Sequence, residues 1–89
     1  MSRKVALVTG ASRGIGAAIA RRLSSSGCAV AVNYNRSEEA ARRLVEELRA
    51  AGGEAEAFQA DVGNSDAVRR MVDNVLEKYC QLDILVCNA

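Results

Sequence analysis

The stretch Val5-Ala6-Leu7-Val8-Thr9-Gly10-Ala11-Ser12-Arg13-Gly14-Ile15-Gly16 decides the fold of this 89-residue chain. Its first four residues form a short, continuously apolar run closed by Thr9-Gly10, the pattern of a central parallel strand covered on both faces. From Gly14 the period becomes helical. Ile15, Ala18, Ile19 and Leu23 fall on one stripe, with Arg21, Arg22 and Ser25 off it. Gly27 supplies a C-terminal stop. A glycine-rich turn therefore joins a buried strand to an amphipathic helix. Such a junction offers free backbone N–H groups and a partial positive charge to an anion.

The rest of the chain repeats the alternation. A second strand is expected at Cys28–Asn33. Ser37 then sits at an N-cap position, with Glu38 and Glu39 near the positive end of the next helix. Ala41, Leu44, Val45 and Leu48 recur at helical spacing, Glu38/Arg42 and Glu39/Arg43 form i,i+4 pairs, and Gly52-Gly53 ends the element. The third strand, Glu54 to Ala60, mixes polar and apolar residues, which suits an edge position. Ser65 is read as the cap of a third helix with the stripe Val68, Met71, Val72, Val75, Leu76 and Tyr79. A fourth strand runs from Asp83 to Cys87. The order βαβαβαβ implies an α/β fold with a parallel sheet and right-handed crossovers. No linker or repeat divides it, so residues 1–89 are read as part of one domain.

Composition narrows the function classes. With 49% hydrophobic and 26% charged residues the chain has a globular balance. A net charge of +1 and 3% aromatic residues give no basis for nucleic-acid or anionic-membrane binding. Cys28, Cys80 and Cys87 form no CxxC pair and there is no histidine, so metal-ligand spacing is absent. They are read as reduced, partly buried thiols. The apolar run Val5–Val8 is too short for a signal peptide or a membrane span, and cytoplasm is the expected location.

A dinucleotide's pyrophosphate needs close backbone donors and no side chain in the way. Glycines serve the tight turn, the close ligand approach and the close packing of helix on strand, and Gly10, Gly14 and Gly16 can fill those roles. The spacing Gly-x-x-x-Gly-x-Gly differs from the commoner Gly-x-Gly-x-x-Gly. With Thr9 in front, it resembles the loop of the short-chain dehydrogenase/reductase family, particularly the 3-oxoacyl-[acyl-carrier-protein] reductases. Asp61-Val62 is similar to the family's Asp-Val after the third strand, and Asn88-Ala89 to the middle of its Asn-Asn-Ala-Gly motif. The resemblance runs from Arg3 to Ala89. It implies a Rossmann-type doubly wound sheet of order 3-2-1-4, stopping after the fourth strand. It also implies cofactor contacts from Gly10, Ser12, Arg13, Gly14, Ile15 and Gly16 in the loop. Further contacts fall to Tyr34, Asn35, Arg36 and Ser37 after strand two, and to Asp61, Val62, Asn88 and Ala89.

An NAD-selective site places an acid at the end of strand two to hold the ribose 2′-hydroxyl. The family resemblance puts Tyr34, which is not acidic, at that position, flanked by Asn33, Asn35, Arg36 and Ser37, with Arg13 as a second cation. A 2′-phosphate wants such cations and hydroxyl or amide donors, so NADP(H) is expected over NAD(H). Tyr34 has a second reading, as packing against the adenosine or the neighbouring helix.

The resemblance also implies what these residues lack. The family transfers hydride with an asparagine, a serine and a Tyr-x-x-x-Lys pair beyond the fourth strand. Tyr34 and Tyr79 are the only tyrosines, and neither has a lysine at that spacing. No catalytic residue is assigned, and the chain by itself is expected to be inactive. Cys87 stands where the family has the first asparagine of its motif, and Cys80 where it often has glycine at a helix end. A left-handed backbone at Cys80 would cost about 1 kcal/mol. Strand four, left as an apolar sheet edge, is expected to recruit another chain or a second copy. The expected function is the NADP(H)-binding segment of a carbonyl reductase acting on 3-oxoacyl thioesters. The alternatives are a non-catalytic nucleotide-binding or subunit-pairing module, and a different Rossmann-type protein such as an epimerase or a methyltransferase.

Overall fold

Four strands and three helices alternate along residues 3–88, the part of the chain that the computed structural model describes. They are β1 (Val5–Val8), α1 (Gly14–Ser25), β2 (Ala29–Tyr34), α2 (Glu38–Ala50), β3 (Ala55–Gln59), α3 (Ser65–Tyr79) and β4 (Ile84–Val86). The strands form one parallel sheet in the order β3-β2-β1-β4, as expected. The mixed strand β3 lies at an edge, and the continuously apolar β1 is interior and wholly buried. Val8 pairs with Val32 on one side and Val86 on the other, so the loops leave these strands at one level.

Period-two alternation divides the core. Ala6, Val8, Val30 and Val32 face α1 and α2, packing with Ala17, Ala20, Leu44, Val45 and Leu48. Val5, Leu7, Ala29 and Ala31 face α3 through Met71 and Val75. The four-residue stripe expected of α2 is buried throughout, and Arg42 and Arg43 pair with Glu38 and Glu39 at 2.9 and 2.8 Å.

The expected stripe of α1 is corrected. Gly16, Ala17 and Ala20 face the sheet, while Ile19 and Leu23 pack at its flank. Ile15 is 72% exposed and Ala18 is also on the surface. The glycine turn brings α1 so close to β1 that only small residues fit between them. On α3, Met71 and Val75 are buried, Val68, Val72 and Tyr79 half-buried, and Leu76 exposed, so its stripe holds at the centre and opens at the rim.

Two caps also differ from expectation. Asn64, not Ser65, caps α3, its Oδ1 accepting from the Ala67 N–H at 3.0 Å. Ser37 occupies the N-cap position of α2, but its hydroxyl bonds elsewhere. Cys80 ends α3 at φ +67, in the left-handed region where glycine is favoured. Cys28 is buried, but Cys80 and Cys87 are exposed, against the expectation of partly buried thiols. At the foot of β4, the Asp83 carboxylate accepts from the Val5 N–H at 2.8 Å and from Gln81 Nε2 at 2.7 Å. Those two donors hold its carboxyl below the usual carboxylate range. Leu85, on the outer edge strand β4, is 56% exposed. Among the described residues no helix is long and apolar enough to cross a membrane.

Candidate functional site

Four chain segments meet beyond the carboxyl ends of the strands, where open parallel sheets bind ligands. The first is the glycine turn. Gly14 has φ +65 and open space around it, so its requirement is conformational. Gly16 is required for space: a Cβ there would run into the Gly10 carbonyl oxygen and lie 2.8 Å from Asn88 Nδ2. Arg13, at the N-cap of α1, is extended and makes no side-chain cap. The first N–H groups of α1, from Gly14 to Gly16, therefore have no intrahelical acceptor and remain available to an anion. Ser12 is half-buried in the same turn, and Ile15 projects outward.

Asn88, after β4, clamps the turn. Its N–H donates to Thr9 Oγ1 at 2.9 Å and its Nδ2 donates to the Gly10 carbonyl at 3.2 Å. Asn88 is thus brought to the loop, engaged with its backbone. Ala89 lies outside the described residues. After β3, Asp61 is exposed, with Oδ1 accepting from the Gly63 N–H at 2.9 Å and Oδ2 making no hydrogen bond among the described residues. Val62 is 50% exposed and lines an apolar groove with Leu7, Met71, Val72, Leu85 and Cys87. Exposed Cys87 stands in the position where the family has an asparagine and lines that groove beside Asn88.

The segment after β2 carries the charge. Arg13 Nη2 donates to Ser37 Oγ at 2.8 Å, linking the glycine turn to the start of α2. Arg13, Arg36 and Ser37 line one shallow cavity together with Arg43 and the acidic pair Glu38 and Glu39. Asn35 accepts from Gln59 Nε2 through its carbonyl at 3.1 Å and its Oδ1 at 3.3 Å, which ties the segment to the end of β3. Tyr34 shares the sheet face of Val30 and Val32, packs against the α1/α2 core, and lines a cavity with Glu38, Arg42 and Val45. Of the two readings for Tyr34, the geometry follows packing on the neighbouring helix. No acidic residue stands at the end of β2.

Two residues of the site, Thr9 and Asn33, have buried side-chain partners that the sequence reading did not assign. Thr9 is buried and its Oγ1 lies 3.3 Å from the Val86 carbonyl and 2.9 Å from the Asn88 nitrogen. Asn33 is buried at the end of β2, with Oδ1 accepting from the Gly10 N–H at 3.1 Å. Their partners lie on other strands, beyond the reach of local pattern.

The sequence matches the short chain dehydrogenase family over residues 4–89. It is 52% identical over 86 residues to a versicolorin reductase of Emericella nidulans, covering 97% of this chain and 33% of that protein. It is 49% identical over 89 residues to a 3-oxoacyl-[acyl-carrier-protein] reductase of Synechocystis, covering 100% of this chain and 36% of that protein. The crystal structure of a short chain dehydrogenase from Burkholderia cenocepacia in complex with NADP superposes with a TM-score of 0.94 at 52% identity, covering 99% of this chain and 36% of that one. The chain spans about a third of the length of the curated relatives it matches.

Proposed function

The chain belongs to the short chain dehydrogenase family, and from that premise we propose that it is the NADP(H)-binding part of an oxidoreductase that reduces a carbonyl, with 3-oxoacyl thioesters as the substrate class. The observation that carries the cofactor choice is the bond from Arg13 to Ser37 at 2.8 Å, beside a β2 end that bears no acid. A guanidinium and a hydroxyl held together across the cavity suit a 2′-phosphate, and no carboxylate stands at the strand end to hold a 2′-hydroxyl. The NADP complex of the Burkholderia cenocepacia relative supports the same choice, and the Synechocystis reductase supports the substrate class and a role in fatty acid synthesis.

The residues fit a dinucleotide in detail. Ser12 and the free amides of Gly14, Ile15 and Gly16 would hold the pyrophosphate, in a turn whose packing a Cβ at Gly16 would disrupt. Gly10 turns the chain clear of it. Arg13, Arg36 and Ser37, which line one cavity, would take the 2′-phosphate. Asp61, whose Oδ1 is engaged by the Gly63 N–H, would accept from the adenine amine through Oδ2, beside the exposed Val62. Asn88, held against the glycine turn, would border the nicotinamide-side ribose. The bound cofactor supplies a hydride to the substrate's carbonyl carbon.

Residues 1–89 form the N-terminal part of a single cofactor-binding domain in this proposal. No Tyr-x-x-x-Lys pair is present, since Glu38 follows Tyr34 and Asp83 follows Tyr79 at that spacing. The chain alone therefore binds cofactor without turning it over. Association with a second copy or another chain belongs to this proposal, and three free thiols suit a reducing cytoplasm. Isothermal titration with NADPH and NADH tests the reading: NADPH is expected to bind at least about tenfold more tightly, and equal affinities overturn it.

A further inference from the structure

Asn33 is only 2% exposed, and with Thr9 it is one of two buried polar residues among those described. Burying an amide is unfavourable unless its donors and acceptor find partners. Here all of them do. Oδ1 accepts from the Gly10 N–H at 3.1 Å. Nδ2 lies 3.2 Å from the Ala60 carbonyl, 3.3 Å from the Phe58 carbonyl and 3.3 Å from Met71 Sδ. The reverse amide orientation would set an NH2 group against an N–H and an oxygen against two carbonyls, so the partners fix the assignment. The Asn33 backbone carbonyl also accepts from the Ala11 N–H at 3.0 Å.

One side chain thus joins three segments: the entry of the glycine turn, the end of β2, and the end of β3 immediately before Asp61. These hold different parts of a dinucleotide. A residue needed only to fill the core here would carry no polar atoms. We propose that Asn33 is a positioning residue, setting the separation between the pyrophosphate loop and the adenine floor that a single dinucleotide must span. The proposal rests on the dinucleotide reading of the site. A ligand that touches both halves gains from their fixed spacing, whereas a ligand confined to one half does not.

The test compares NADPH with adenosine, which carries no phosphate and reaches only the adenine floor, by calorimetric titration of Asn33→Ala and Asn33→Ser in the full-length protein. Affinity for NADPH is expected to fall about tenfold, with the nucleoside held within about twofold. An equal loss for both ligands, or no loss for either, overturns the proposal, because a residue that merely stabilises the fold weakens both alike. Amide exchange in the unliganded wild type gives a second readout that needs no variant. The Gly10 N–H is expected to exchange more slowly than the uncapped Ile15 N–H, and equal exchange overturns the clasp. Wild-type protein that binds neither ligand while keeping Gly10 protected would instead refute the cofactor reading and leave the clasp standing.

Discussion

Replacing Gly16 with alanine isolates the packing claim at the centre of the site. A Cβ at this position would run into the Gly10 carbonyl and lie 3.0 Å from the Ala11 Cα and 2.8 Å from Asn88 Nδ2. Two of those three obstacles are backbone, so the turn itself must move. Overpacking of this kind costs about 1–3 kcal/mol, and rigid backbone obstacles put Gly16→Ala near the upper figure. Alanine recovers about 1 kcal/mol through its helix propensity. A net loss of about 2 kcal/mol remains, measurable in urea denaturation as a lower midpoint at unchanged slope. The displaced turn also breaks the Asn88–Gly10 link and moves the α1 amides, so NADPH affinity is expected to fall at least about tenfold. Gly14→Ala is the control. It meets no neighbour but stands at φ +65, so it loses about 1 kcal/mol through backbone strain alone. Stability of Gly16→Ala within about 0.5 kcal/mol of wild type, with unchanged NADPH binding, would refute the reasoning.

Arg13→Ala removes a charge-assisted donor and is expected to weaken NADPH roughly ten- to a hundredfold while leaving NADH unchanged in the same titration. Cys80→Gly relieves the positive φ at the end of α3 and is expected to raise unfolding free energy by about 1 kcal/mol in a denaturant melt. Tyr79 buries a hydroxyl with no hydrogen-bond partner among the described residues, and burial followed by the nearby Glu54 and Glu56 pushes its pKa up to about 12 from 10.0. Its neutral form is the one the fold favours, so its contribution is intact below pH 10.0 and is lost as pH rises to about 12. Tyr79→Phe should flatten that alkaline limb in a stability–pH series, and an unchanged limb counts against the assignment.

Much of this fold was legible because its signals are local. Val5–Val8 carries no polar residue and is covered on both faces, whereas the polar–apolar mixture in β3 marks an edge. The α2 stripe is buried as its spacing requires. The α1 stripe misled because hydropathy ranks Ile15 above Gly16 and Ala17, while a helix held this close to a strand selects for size. The cap at Ser37 misled for a different reason: its hydroxyl partner, Arg13, lies 24 residues away. Within the site, the glycine turn, Arg13, Ser37, Asp61 and Asn88 were legible as motifs, and the sheet gathers them at one end. Tyr34 follows strand alternation onto α2. Asn33 was grouped with the amide donors around Tyr34, but its amide turns inward, and every partner of its side chain except the Tyr34 carbonyl lies on another segment.

The most direct test of the account is a crystal structure of the full-length protein with NADPH. It should place a 2′-phosphate oxygen within about 3.2 Å of both the Arg13 guanidinium and Ser37 Oγ, with the pyrophosphate over the Gly14–Gly16 amides. A cofactor bound with its 2′-phosphate in solvent, clear of both side chains, would contradict it.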